Sequence, residues 1–250
     1  MNAVLRKEHH NGVVQLSLNN GGGNALSSTL LQELAQAIKE TQGARALVLD
    51  GGEAKLFSGG FDLTEIVDYE RAELAHFFEG FMGILDSVLR LKCPSVVAIH
   101  SHALAAGFIL SLAFDLRVVA TRDLKLGLNE VDLGVMIPAS TEVLFGLRTT
   151  PQISLNYGMS GRLFGPEEGA RIGYADMLAE DAQARAMDLA ASLANKPGQG
   201  AALTRERAGT RIADIVDAQE REHRDAFLDS WFSPEGQAGL SAVAERLRKR

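Results

Sequence analysis

Short apolar runs alternate with helical patterns along the first half of the chain, and this alternation restricts the fold more than any other feature. Residues Val13–Leu18 (VVQLSL), 46–52 (ALVLDGG) and 94–100 (PSVVAIH) have the length and composition of strands. An apolar helix face lies between the first two runs, and residues 71–91 form a longer amphipathic pattern before the third. Strands that alternate with helices in this way indicate an α/β fold.

The C-terminal part has a different pattern. Beyond about Leu144 the strand signals fade, and the chain becomes charged and helical. We therefore predict an α/β core over residues 1–195, followed by a helical region over residues 196–250. The segment 226–232 (AFLDSWF), which contains Trp231, is apolar enough to predict contact with a partner surface.

Charge and composition exclude several classes of protein. The 250 residues include 25 Lys and Arg against 32 Asp and Glu, and the net charge of −7 argues against a broad nucleic-acid surface. The longest apolar stretch, residues 103–114, is well short of the ~20 residues that a membrane span needs, and the N-terminus lacks the apolar run of a signal peptide. A single cysteine, Cys93, excludes an intramolecular disulfide framework and a multi-cysteine zinc site. We expect a cytoplasmic protein with no membrane or nucleic-acid partner.

Two turns rich in small residues are candidates for a functional site. The first, LFSGGFDLTEI, places Gly59 and Gly60 directly before Phe61 and the start of a helix. The second, HALAAGF at residues 102–108, marks the end of a strand and the start of another helix. Each turn alone reads as a tight strand-to-helix connection. Each also offers a backbone N–H at a helix N-terminus, and two such donors that converge on one oxygen form an oxyanion hole.

The chain contains, in this order, the motifs FSGGFDLTEI, AIHSHALAAGFILSLAFDLRVVA, LGLNEVDLGVMIP and SGRLFGPEEGARIGYADML. This order resembles the crotonase superfamily, also called the enoyl-CoA hydratase/isomerase family, over nearly the whole chain. The resemblance implies a spiral of ββα repeats and C-terminal helices that build a homotrimer or a dimer of trimers. It also implies an acyl-CoA thioester whose carbonyl lies between the N–H groups of Phe61 and Ala106. Coenzyme A is then part of the substrate, and no separate cofactor or metal is implied.

Hydratases of this family use two glutamates, and this sequence keeps only one of them. The first position is Ile109, whereas the second is Glu130. Isomerisation of a 3-enoyl-CoA to the trans-2-enoyl-CoA needs a single base, which moves a proton from C2 to C4 while the oxyanion hole stabilises the dienolate. The motifs most resemble the Δ3,Δ2-enoyl-CoA isomerases, so an isomerase with Glu130 as its base is the leading hypothesis. Hydration, another reaction of the family, and a non-catalytic CoA-ester-binding scaffold stay open.

Further positions follow from the same resemblance or from local patterns. The implied substrate-binding residues are Lys55, Ser58, Gly59, Gly60, Gly107 and Ile109. Ala106 stands where the family usually has glycine, so its N–H can act as a donor only if the backbone there does not need a positive φ. Asp132 is the reserve base, since an extended segment would place it on the face of Glu130. Asp62 is predicted to cap the helix after the first turn.

Two other motifs have weaker links to chemistry. His100 and His102 flank Ser101, and a metal pair or a Ser/His nucleophile is one alternative for them. No third ligand or acid is nearby in sequence, so packing and hydrogen bonding are favoured. Residues 19–24 (NNGGGN) lack the Lys-Ser/Thr of a nucleotide P-loop and are predicted to form a loop.

Overall fold

The computed structural model describes residues 2–249. Its strands are β1 (Val4–Glu8), β2 (Val13–Leu18), β3 (Ala46–Asp50), β4 (Ser95–Ile99), β5 (Ala103–Leu104), β6 (Leu116–Ala120), β7 (Leu126–Gly127) and β8 (Met177–Ala179). Within residues 2–249, six of them form one sheet in the spatial order β1-β2-β3-β4-β6-β8. β1 and β2 pair antiparallel, and the other neighbours in this sheet are parallel. The predicted α/β class is confirmed.

Helices pack against this sheet and extend beyond it. They are α1 (Ser28–Lys39), α2 (Leu63–Ile66), α3 (Arg71–Leu89), α4 (Ala106–Leu112), α5 (Ala139–Arg148), α6 (Pro151–Ser160), α7 (Pro166–Arg171), α8 (Ala182–Ala194), α9 (Gly200–Trp231) and α10 (Pro234–Arg248). A 3₁₀ turn spans Glu130–Leu133. The predicted helix at residues 71–91 is confirmed as α3, which ends at Leu89. No helix among residues 2–249 is long and apolar enough to cross a membrane.

A second, smaller sheet brings distant segments together. β5 and β7 pair in parallel, with Leu104 opposite Gly127. An isolated bridge joins Ser58 to Ala103, and another joins Leu26 to Phe61. The turn before α2, the start of α4 and the 3₁₀ turn therefore lie at one end of this small sheet.

The C-terminal half contains a strand that the sequence analysis missed. β8 pairs in parallel with β6 and extends the main sheet by one strand. Its three residues, Met177–Ala179, are half-buried and include no β-branched side chain. Neither length nor composition therefore signals a strand. The prediction that strands end near Leu144 was wrong at this point.

The long helix α9 packs antiparallel along α3. Ion pairs mark the direction: Arg90 near the end of α3 bonds Asp217 at 3.1 Å, whereas Arg71 at its start bonds Asp229 at 2.8 Å. Because these side chains are partly exposed, each pair adds little stability by itself. They fix the relative position of two helices whose apolar faces are in contact.

The apolar segment 226–232 is buried by its own chain. The rings of Phe78 and Phe227 stack with centroids 4.4 Å apart, and Trp231 is only 4% exposed. The prediction that this segment seeks a partner surface was therefore wrong, because its large apolar side chains Phe227, Leu228 and Trp231 are already buried within the chain. A homotrimer or a dimer of trimers stays a prediction.

The last helix, α10, connects two parts of the molecule that are distant in sequence. Near its start, a Cβ on Gly239 would clash with the Leu133 carbonyl oxygen, so the helix backbone lies directly against the 3₁₀ turn. Near its end, Arg248 donates to the Thr64 carbonyl and to the Asp68 carboxylate, both at 2.8 Å. α10 therefore contacts both the 3₁₀ turn and α2. The division into residues 1–195 and 196–250 stays a prediction.

Candidate active site

Phe61 lies in the turn before α2, and its N–H points away from Leu26, the residue with which this turn pairs. Leu26 donates to the Gly60 carbonyl at 2.8 Å and accepts from the Asp62 N–H at 3.1 Å. Since N–H groups alternate sides along an extended segment, the intervening Phe61 N–H faces the opposite side. Among residues 2–249, no acceptor lies within hydrogen-bond distance of it. Gly60 adopts a φ of 96°, which a residue with a side chain resists.

Asp62 has the capping role predicted for it. Its Oδ1 accepts the Thr64 N–H at 3.0 Å and the Thr64 hydroxyl at 2.6 Å. It is the N-cap of α2, which follows the turn directly. The prediction of a cap is confirmed, and the Asp62 carboxylate is used to fix the turn.

The second donor is at the first residue of α4. The N–H of a first helical residue has no acceptor within its own helix. In the described part of the chain the Ala106 N–H finds no acceptor elsewhere either. The positive φ lies one residue earlier, at Ala105, with φ 48° and ψ −128°. Position 106 therefore does not need a positive φ, because Ala105 adopts the unusual conformation instead. Alanine at position 106 is thus compatible with a donor role for its N–H.

Ala105→Gly is expected to raise the free energy of unfolding by about 1 kcal/mol. A residue in a sparsely populated backbone region costs about 1–3 kcal/mol, and glycine at the same place costs about 0.4–1 kcal/mol through the unfolded chain. Urea unfolding measures the difference. Ala208→Gly, on the exposed side of α9, is the control and should lower stability. Equal losses in the two variants would contradict the strain at Ala105.

The two turns are in direct contact. A Cβ on Gly60 would lie 3.3 Å from the Ala106 nitrogen and 3.0 Å from the Ala105 Cβ. A Cβ on Gly107 would lie 2.6 Å from the Ser58 Cβ. These glycines therefore allow the close approach of the two backbones that carry the Phe61 and Ala106 N–H groups.

The predicted substrate-binding residues fall into two groups. Ser58 is fully buried, and its hydroxyl donates to the Asn24 carbonyl at 2.8 Å and accepts the Gly60 N–H at 3.2 Å. With Gly60 and Gly107 it shapes the turn. By contrast, Lys55 and Gly59 are exposed beside it. Substrate contact by any of them stays a prediction.

Asn24 is a site-shaping residue that the sequence analysis did not single out. It is fully buried with a φ of 42°, and its amide nitrogen donates to the carbonyls of Gly51 at 2.9 Å and Phe57 at 3.1 Å. These bonds hold both ends of the segment that leads into the Phe61 turn. The only sequence signal was its place at the end of NNGGGN, where Asn tolerates a positive φ better than most residues.

Glu130 follows the strand that the small sheet pairs with the segment before Ala106. The Gly127 carbonyl accepts the Ala105 N–H at 3.0 Å, so the strand before Glu130 ends beside the strand before Ala106. Glu130 begins the 3₁₀ turn, and its Oε2 is buried without a hydrogen-bond partner among residues 2–249. Burial raises the pKa of its carboxyl to about 7, although backbone hydrogen bonds at Glu130 and Asn129 oppose the shift. Such a carboxyl suits proton transfer near neutral pH.

The other candidate groups for proton transfer are elsewhere. Asp132 is exposed, and its carboxylate lies beside Gly161 at the end of α6. Its choice as the reserve base was wrong, because the segment is a 3₁₀ turn rather than an extended strand. Ile109 is 1% exposed within α4, so its position is apolar.

The two histidines take part in hydrogen bonds to the main chain. His100 Nε2 lies 2.9 Å from the Ala54 carbonyl oxygen, and His102 Nδ1 accepts the Lys125 N–H at 2.9 Å. The prediction of packing and hydrogen bonding is confirmed. Within residues 2–249, no group of three or more His, Cys, Asp or Glu side chains could hold a metal ion.

Two backbone N–H groups without acceptors among residues 2–249, and a half-buried carboxyl on the segment that pairs next to them, are the types of group that proton transfer next to a carbonyl group needs. A family model described as enoyl-CoA hydratase/isomerase matches residues 8–250, and the chain therefore belongs to this family, the crotonase superfamily. The resemblance noted in the sequence is confirmed. The family acts on acyl-CoA compounds, and this chain is an acyl-CoA enzyme of that family.

The names of individual relatives differ in the activity that they state. The chain is 28% identical over 243 residues to a probable enoyl-CoA hydratase of Bacillus subtilis, covering 94% of this chain and 93% of that protein. It is 27% identical over 239 residues to the carnitinyl-CoA dehydratase of Escherichia coli, covering 93% and 90%. Human mitochondrial Δ3-Δ2-enoyl-CoA isomerase superposes with a TM-score of 0.91 at 24% identity, covering 99% and 98%. The last comparison shows the crotonase fold.

Proposed function

We propose that this protein isomerises 3-enoyl-CoA to trans-2-enoyl-CoA. The observation that carries the proposal is the half-buried Glu130, whose Oε2 is buried and whose carboxyl pKa is raised to about 7, together with the apolar Ile109 where hydratases have their other glutamate. Hydration needs water held and activated by two carboxylates. A shift of the double bond needs one base that can both take and return a proton.

In the proposed reaction, the thioester oxygen accepts hydrogen bonds from the Phe61 and Ala106 N–H groups. Ionised Glu130 removes a proton from C2, and the C2–H electron pair spreads over the dienolate, whose negative charge the two donors stabilise. The same carboxyl then protonates C4, so the double bond moves from C3–C4 to C2–C3. Glu130 ends the cycle ionised, and no other reactant is consumed.

Other parts of the assignment rest on the family resemblance. Lys55 is exposed just before the Phe61 turn and is proposed to contact the coenzyme A part of the substrate. A homotrimer or a dimer of trimers and a cytoplasmic location are proposed on the same basis.

Hydration is the second candidate, since the Bacillus subtilis relative is named a probable enoyl-CoA hydratase. The two reactions are separated by incubating the protein with 3-enoyl-CoA and with 2-enoyl-CoA in D₂O and following both by NMR. We expect isomerisation to be faster by about 10²-fold, because one missing acid–base group typically costs about 10²–10⁴-fold in hydration. Faster hydration would overturn the single-base proposal. Binding of CoA esters without either reaction would favour a non-catalytic scaffold.

A further inference from the structure

The connection between Glu130 and α5 is held by the distant helix α9. The Met136 N–H donates to the Ser230 hydroxyl at 3.1 Å, and the Ser140 N–H donates to Glu220 Oε2 at 3.0 Å. At its other end, the connection folds back on the 3₁₀ turn, where the Val135 N–H donates to the Glu130 carbonyl at 3.1 Å. The path from the proposed base to α5 is thus short and fixed at several points.

Glu220 supplies a helix cap that α5 lacks in its own sequence. The N-cap of α5 is Pro138, whose side chain offers no acceptor, although the first-turn N–H groups need partners. The carboxyl group of Glu220 accepts the Ser140 N–H instead, at the helix N-terminus, where the helix dipole favours negative charge, whereas burial raises the pKa of this carboxyl. Glu220 is 3% exposed. A buried carboxylate is costly unless it is well bonded, so this placement needs a reason.

The surroundings of Glu220 contain further buried polar atoms. Among residues 2–249, Glu220 Oε1, Thr141 Oγ1 and Arg224 Nε are buried without hydrogen-bond partners. Arg224 is one helical turn after Glu220 and bonds Glu79 on α3 at 2.5 Å through its Nη1. His223 is the other basic side chain of α9 near Glu220. The start of α5 therefore rests on a polar cluster inside an otherwise apolar contact between helices.

We propose that Glu220 is a positioning residue for Glu130. By holding the Ser140 N–H, it fixes the start of α5, and through residues 134–138 it fixes the 3₁₀ turn and the direction of the Glu130 carboxylate. The proposal rests on the proposed isomerase function for its kinetic consequence. Its structural consequence, order in the segment that follows Glu130, does not depend on the reaction.

Glu220→Leu and Glu220→Gln test the proposal in the full-length protein. Leucine removes the acceptor, whereas glutamine keeps an oxygen for the Ser140 N–H. We expect Glu220→Leu to lower the isomerisation kcat by about 10- to 100-fold with little change in KM, because small misplacements of catalytic groups cost up to about 10²-fold. It should also shift the acidic limb of the kcat/KM pH profile, because this limb reports the pKa of Glu130 and the surroundings of Glu130 would change. Glu220→Gln should retain most of kcat.

Glu222→Leu is the matched control, because Glu222 lies on the exposed side of the same helix. Amide hydrogen exchange gives a readout that needs no turnover. Residues 134–141 should exchange faster in Glu220→Leu than in the wild type, and their exchange should be unchanged in Glu222→Leu. Unchanged kcat, pH profile and exchange in a folded Glu220→Leu would overturn the positioning role. If the wild type isomerises nothing, the proposed function fails. Faster exchange of residues 134–141 in Glu220→Leu would then still support the conclusion that Glu220 fixes this segment. Unchanged exchange in that variant would refute it.

Discussion

Replacing Glu130 with glutamine is expected to lower the isomerisation kcat by about 10²–10⁴-fold, the usual contribution of a general base. Glutamine keeps the size of the side chain and removes its capacity to accept the C2 proton. Binding of a CoA ester should be nearly unchanged, because the backbone donors of Phe61 and Ala106 remain. Steady-state kinetics with 3-enoyl-CoA and calorimetric titration with a saturated acyl-CoA measure the two effects separately.

The pH dependence of the wild type provides a second measurement on the same residue. Burial raises the pKa of Glu130 to about 7, so the base is protonated and inactive below that pH. The kcat/KM of the wild type should therefore rise with pH and level off above about 7. Asp132→Asn, at an exposed position of the same 3₁₀ turn, is the control and should keep both rate and profile. A Glu130→Gln enzyme with wild-type kcat would place the base elsewhere.

Ala106→Pro is expected to lower kcat by about 10²–10³-fold, the typical effect of losing one oxyanion-hole donor. Proline removes the N–H, and the first residue of a helix is the position where proline costs least. Ala106 holds this position in α4. The thioester oxygen would keep only the Phe61 donor, so the dienolate, which carries more negative charge than the bound substrate, loses more stabilisation.

Ala105→Gly is the matched control for this experiment, because it changes the neighbouring residue and keeps both N–H groups. A proline restricts the residue before it, and Ala105 already has an unusual conformation. The double variant Ala105→Gly/Ala106→Pro therefore repeats the test on a more permissive backbone. Circular dichroism establishes that each variant is folded. Wild-type turnover in a folded variant that lacks the Ala106 N–H would show that the oxyanion is stabilised by other groups.

Local patterns predicted the elements of the main sheet better than the contacts between them. The runs at Val13–Leu18 and residues 46–52 became β2 and β3. β2 alternates buried apolar with half-buried polar residues over its second half, and β3 is buried along its whole length, and both are strand patterns. β8 could not be predicted in this way. Its pairing with β6 is decided by tertiary contact, and its three residues carry no strand preference of their own.

The candidate site was predicted only in part, because some of its features depend on local sequence and others depend on contacts between distant segments. Gly60 and Phe61 lie in a motif whose turn chemistry is local, and the structure places them against Ala106. The positive φ at Ala105 and the burial of Glu130 Oε2 arise from packing between distant segments, and no local pattern encodes them. The prediction that Asp132 shares the face of Glu130 assumed an extended backbone. In the 3₁₀ turn the side chains of these two residues point to different sides.

The placement of α10 sets an order of events during synthesis. The segments that contain Phe61, Ala106 and Glu130 leave the ribosome long before the helix that touches both the 3₁₀ turn and α2. Domains synthesised from the N-terminus begin to fold as they emerge. A nascent chain that has not yet reached Ser233 thus contains Phe61, Ala106 and Glu130 without the helix that contacts both the 3₁₀ turn and α2. The contacts that α10 makes with the 3₁₀ turn and α2 can therefore form only after the rest of the site has been synthesised.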